Sequence, residues 1–107
     1  MNSKDDDGDT PLIIAVDNDN NDIAELLIDN GADVNTGDEG NYTPLYYAIW
    51  NSYKDMVDLL INKGADVNFS VEEGDSILYE AVWMMDFDIV KILVDNGAKY
   101  DVKYGYG

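Results

Sequence analysis

GADVNTGDEGNYTPL, residues 31–45, closes one apolar helical pattern and opens the next, and its frame returns at residues 64–78 as GADVNFSVEEGDSIL. Thr10, Thr43 and Ser76 stand 33 residues apart, and Gly31, Gly64 and Gly97 keep the same interval. The register holds at many positions together: Leu12, Leu45 and Leu78; Ala15, Ala48 and Ala81; Leu27, Leu60 and Leu93; Ala32, Ala65 and Ala98. A fixed period of this length signals stacked units, each burying its apolar face against the next.

Working outward, Thr10 and Thr43 each offer an N-cap hydroxyl ahead of Pro11 and Pro44, which suit the first helical position because their missing N–H costs nothing there. A short helix to about residue 17 is expected. The run DNDNND at 17–22 interrupts it, because Asn and Asp bond their own backbone. A second helix follows with Ile23, Leu26 and Leu27 at i, i+3 and i+4, ended by Gly31 in the left-handed conformation that closes helices. The trio recurs as Met56, Leu59, Leu60 and as Ile89, Ile92, Leu93, so the second helices should stack in one layer, with Asp55, Asp58, Asp88 and Asp95 facing water. Residues 33–42 and 66–75, rich in Gly, Asn, Asp and Glu, predict reversing fingers between the units.

The chain resembles the ankyrin repeat family through Thr10-Pro11-Leu12 and Thr43-Pro44-Leu45, the pairs Leu26-Leu27 and Leu59-Leu60, and the word GADVN at Gly31 and Gly64. The resemblance covers roughly residues 5–103 and implies an all-α repeat solenoid in a single domain, 1–107. Three helix-turn-helix repeats, about 5–37, 38–70 and 71–103, would be joined by hairpin loops. The sequence departs from the family pattern in three ways. The usual histidine after Thr-Pro-Leu is Ile13, Tyr46 and Tyr79; Ser76-Ile77 replaces Thr-Pro; and the usual glycine between the two helices is Asp19, Ser52 and Met85. A long apolar Met85 at a position favouring φ > 0 predicts an altered turn. No capping repeat is evident at either end, so the outer faces must be polar or covered.

Composition narrows the function. Twenty-three acids against six lysines and no arginine give a net charge of −17. That surface repels nucleic acid and anionic lipid, so a charged partner should be basic. No segment has the apolar length of a signal peptide core or a membrane span, which predicts a cytoplasmic protein. The absence of Cys and His removes thiolate and imidazole chemistry, and no phosphate-binding glycine loop occurs, so neither an enzyme nor a cofactor is expected. Asp17, Asp19 and Asn21 have the spacing that opens a calcium loop. Asp22 stands where that loop needs Gly and Ile28 where it needs a bidentate Glu, so no metal site is expected.

In ankyrin arrays the partner usually meets the concave side, formed by hairpin tips and the exposed ends of the first helices. Carried onto this sequence, the helix ends are Asp17, Asn18, Trp50, Asn51, Trp83 and Met84. The hairpins supply Asp9, Glu39, Gly40, Tyr42, Glu72, Glu73 and Asp75, with Tyr47 adjacent. Trp and Tyr dominate binding energy at interfaces, and both tryptophans occupy one repeat position. Either the indoles pack flat on the neighbouring repeat or they are displayed, and the repeat spacing favours display. Tyr46 and Tyr79, at the family's histidine position, are expected to be structural. The resulting expectation is a monomeric module binding a basic protein that carries an apolar anchor. The alternative is an assembly protein pairing through its uncapped ends.

Overall fold

The computed structural model describes residues 8–69 and 76–99 together with Lys4. Its six helices come in pairs: α1 (Pro11–Asp17) with α2 (Asn21–Asp29), α3 (Pro44–Trp50) with α4 (Lys54–Asn62), and α5 (Ile77–Trp83) with α6 (Phe87–Asp95). The first helices pack in one layer, α1 on α3 and α3 on α5; the second helices form the other, α2 on α4 and α4 on α6. No β-strand occurs among the described residues. The result is an all-α repeat stack.

Local chemistry sets the helix limits. Thr10 Oγ1 accepts from the Ile13 N–H at 3.2 Å, Thr43 Oγ1 from Tyr46 at 3.3 Å and Ser76 Oγ from Tyr79 at 3.0 Å. The third repeat thus keeps its cap without proline. Asn20 and Asp86 cap α2 and α6 in the same way, whereas Tyr53 offers α4 no side-chain cap.

At the end of α2 the Gly31 N–H donates to Ile28 O and the Ala32 N–H to Leu27 O, a pair of bonds that requires a left-handed residue. Gly31, Gly64 and Gly97 supply it, with φ of 106°, 98° and 89°. The first helices close in the same conformation with Asp19, Ser52 and Met85 at φ 54°, 58° and 59°. The altered turn expected at Met85 is therefore absent. Its N–H donates to Val82 O at 3.0 Å, as Ser52 does to Ile49 O, and the shared bond holds Met85 in the shared geometry.

Between the layers, Leu12, Leu45 and Leu78 and Ala15, Ala48 and Ala81 are all buried. Each fully buried leucine contributes about 1.5–3 kcal/mol of transfer free energy. On the second helices Met56, Leu60, Ile89 and Leu93 are fully buried, while Ile23 remains 48% exposed. The apolar trio recurs in sequence as expected, but its first copy has no described repeat stacked on its outer side, so Ile23 and Leu26 face outward. The aspartates 55, 58, 88 and 95 are exposed, as the outer stripe requires.

Candidate functional site

The turn between α2 and α3 is built on Asp38. Its Oδ1 accepts from the N–H groups of Gly40 and Tyr42 at 2.9 and 3.1 Å, and its backbone N–H donates to Tyr42 O. A Cβ at Gly40 would lie 2.8 Å from Cε2 of Tyr42, whose ring rests on this glycine, so a larger residue there would displace the ring. Tyr42 is thereby aimed along the face of α3. Residues 42, 46 and 50 follow at helical spacing and form a row. The Tyr42 and Tyr46 ring centroids are 4.6 Å apart with planes tilted by 31°, and those of Tyr46 and Trp50 are 6.2 Å apart and within 13° of parallel.

Trp50 is 57% exposed at the free end of that row. One repeat on, Trp83 is 77% exposed and Tyr79 half-buried. In the first repeat the same register holds Asp9, Ile13 and Asp17, so the aromatic face is bordered on that side by acids. The helices of this layer, α1, α3 and α5, carry no lysine. Lys54, Lys63 and Lys91 lie on the second layer or just beyond it, bonded at 2.8 Å to Asp88, Asp29 and Asp95. Among the described helices the lysines are therefore confined to the second layer, alongside most of the helical acids.

The other expected site residues divide into held and exposed groups. Tyr47 is half-buried against the core and its hydroxyl donates to the Asp38 carboxylate. Burial first, then that hydrogen bond, then the charges of Asp38, Asp9 and Asp17 hold its phenol well above the usual tyrosine range. Asn51 donates to Tyr47 O at 2.9 Å and to Asp17 Oδ1 at 3.4 Å, tying the ends of α1 and α3 together. Met84 is half-buried against the core, whereas Met85 projects outward. Glu39 is exposed and approaches Gly8, while Asp9 is half-buried. Glu72 and Asp75, with Glu73, lie outside the described residues.

Two participants escaped the sequence reading. Asp38 organises the turn, and Tyr46, expected to be structural, packs half-buried against the core while its ring also links Tyr42 to Trp50. The spacing of 42, 46 and 50 was the available signal for Tyr46. Burial, then the Glu80 carboxylate on α5, then Tyr42 raise the Tyr46 phenol above its usual range.

Comparison with known families decides the architecture. Residues 1–71 match the family described as ankyrin repeats (3 copies), and residues 51–94 match ankyrin repeats (many copies). The chain is an ankyrin repeat protein. No curated protein matches the sequence. Ankyrin repeats are generally protein–protein interaction modules and typically not enzymes. Among the described residues no helix of this ankyrin protein is long and apolar enough to cross a membrane.

Proposed function

We propose that this ankyrin repeat protein is a non-enzymatic, cofactor-free, cytoplasmic module. It binds a basic protein surface carrying an apolar anchor, through the face formed by Tyr42, Trp50 and Trp83 and bordered by Asp9, Asp17 and Glu39. One observation carries the reading: two indoles at the same repeat position are more than half exposed, on a layer of helices without a lysine. An exposed indole is an efficient anchor, because its large rigid surface loses little side-chain entropy on binding. Acids around it favour a cationic partner and speed encounter.

Selection of binders from a random displayed peptide library tests this. Recovered peptides should be net positive with an apolar residue, and each Trp→Ala substitution should weaken them by about 30-fold, the effect of roughly 2 kcal/mol. Helical circular dichroism should stay nearly unchanged, because neither indole is buried. Neutral or acidic peptides indifferent to both substitutions would refute the reading.

A second reading is favoured by the ends of the stack. Met56 and Ile89 are fully covered at the internal junctions, whereas their first-repeat equivalent Ile23 is 48% exposed. At the other end Val82 and Phe87 are exposed and border one shallow apolar pocket with Met85 and Val90. As an assembly protein the chain would stack head to tail through these two halves of one interface. Such contacts do not close and would give growing oligomers. Sedimentation separates the readings, since the binding module stays monomeric at micromolar concentration.

A further inference from the structure

Asn30-Gly31 and Asn96-Gly97 are the chain's two Asn-Gly steps, and both fall at the C-terminal cap of a second-layer helix. We propose that these asparagines are spontaneous modification sites, at which opening of an end repeat is recorded as an irreversible conversion of amide to acid.

The chemistry needs only water. The Gly nitrogen attacks Cγ of the asparagine and forms an N–Cγ bond; the Gly amide proton is lost and the Cγ–Nδ2 bond breaks as ammonia leaves. Water then opens the cyclic imide at either carbonyl, leaving aspartate or isoaspartate. Glycine favours the attack because no Cβ crowds its nitrogen.

The folded cap opposes each part of this. At both asparagines ψ is 17°, which holds the glycine nitrogen on the side of the Cα–C bond away from Cβ, so ring closure requires that torsion to turn. The glycine N–H donates to Ile28 O in one cap and to Val94 O in the other, each at 3.1 Å. The leaving amide is held as well: Asn30 Nδ2 donates to Leu26 O and Asn96 Nδ2 to Ile92 O, each at 2.8 Å. Reaction therefore waits for local opening of the cap. Both Asn-Gly pairs are exposed, so water reaches an opened cap.

Once made, the product weakens the cap. A carboxylate has no N–H for Leu26 O or Ile92 O, and it adds negative charge at the negative end of the helix, beside Asp29 or Asp95. Isoaspartate also lengthens the backbone by a methylene, so the glycine bonds lose their register.

The middle repeat lacks the site. Its cap has the same shape, with ψ 10° and the Gly64 N–H bonded to Ile61 O, but Lys63 stands where the end repeats have asparagine. Its helix α4 is packed by α2 on one side and α6 on the other, whereas α2 and α6 each have one such neighbour among the described residues. The reactive pair is thus confined to the repeats with the least support.

Peptide mapping by mass spectrometry, on the full chain aged in native buffer and in concentrated urea at one pH, provides the test. In urea both sites should convert as fast as an unstructured Asn-Gly peptide. In native buffer conversion should be about 10- to 1000-fold slower, matching an open state populated at about 10% to 0.1%. Lys63→Asn places a third Asn-Gly step in the middle cap, which should match the others in urea and be the slowest in native buffer. Asn30→Asp and Asn96→Asp, which mimic the product, should each lower the thermal midpoint by a few degrees.

Equal rates in the two solvents would overturn the proposal, and so would no conversion in either. Native conversion at the middle cap as fast as at the ends would overturn its confinement to the end repeats. An unchanged midpoint in both aspartate variants would overturn the weakening of the cap.

Discussion

Met85 holds φ at 59° without being glycine, and its side chain is 87% exposed. A β-carbon in this conformation costs roughly 1 kcal/mol or more, while an exposed thioether returns little packing. Met85→Gly should therefore stabilise the fold by about 0.5–1 kcal/mol, raising the thermal midpoint by a few degrees. A lower midpoint in thermal circular dichroism would mean the side chain packs usefully after all. Tyr47 makes the opposite kind of contribution. Its phenol holds its proton more tightly in the folded chain than at the unfolded value near 10, so its stabilisation is complete below about pH 10 and is lost as pH rises further. Lys54, Lys63 and Lys91, raised chiefly by hydrogen bonds to Asp88, Asp29 and Asp95, act in the same direction. Urea midpoints at pH 8 and pH 11 should accordingly fall less steeply in Tyr47→Phe than in the parent. Equal slopes would exclude the phenol as a contributor.

Between elements, the last residue of each GADVN word joins neighbouring repeats. Asn35 Nδ2 donates to Gly64 O at 3.2 Å and its Oδ1 accepts from the Asp66 N–H at 2.8 Å. Asn68 repeats the arrangement with Gly97 O and the Lys99 N–H. Because one amide side chain satisfies a carbonyl and an N–H of the next repeat, Asn35→Ala should cost about 1–2 kcal/mol, read as a lower urea midpoint with unchanged helical signal. An unchanged midpoint would mean water replaces both bonds without loss. GADVN was visible in the sequence as a turn word, but this role was not, since it depends on atoms 29 and 31 residues away. The helix pairs were legible because caps, apolar spacing and terminal glycines are local and recur three times. The aromatic row was half legible. Trp50 and Trp83 stood out by repetition, whereas the stacking of Tyr46 between Tyr42 and Trp50 was hidden, because it depends on how Asp38 and Gly40 aim Tyr42.

For the whole molecule, a charge of −17 on 107 residues makes self-repulsion a term in stability. Among the described residues the opposing surface ion pairs are few and exposed or half-buried, and such pairs contribute about 0–1 kcal/mol each. Their loss in salt is therefore smaller than the relief of repulsion among the excess acids. Raising NaCl from about 0.01 M to about 1 M shortens screening from about 30 Å to about 3 Å. The thermal midpoint should rise over this range, while affinity for a basic partner should fall, because one screening effect removes repulsion within the chain and attraction between chains. Thermal scans and binding titrations in the same buffers check both signs. Sedimentation in each buffer completes the measurement: salt also lowers the barrier to end-to-end stacking, so a midpoint that rises together with sedimentation rate would attribute the gain to association through the apolar ends. A midpoint that rises while the protein stays monomeric would attribute it to relieved repulsion, and a falling midpoint would mean the ion pairs outweigh it.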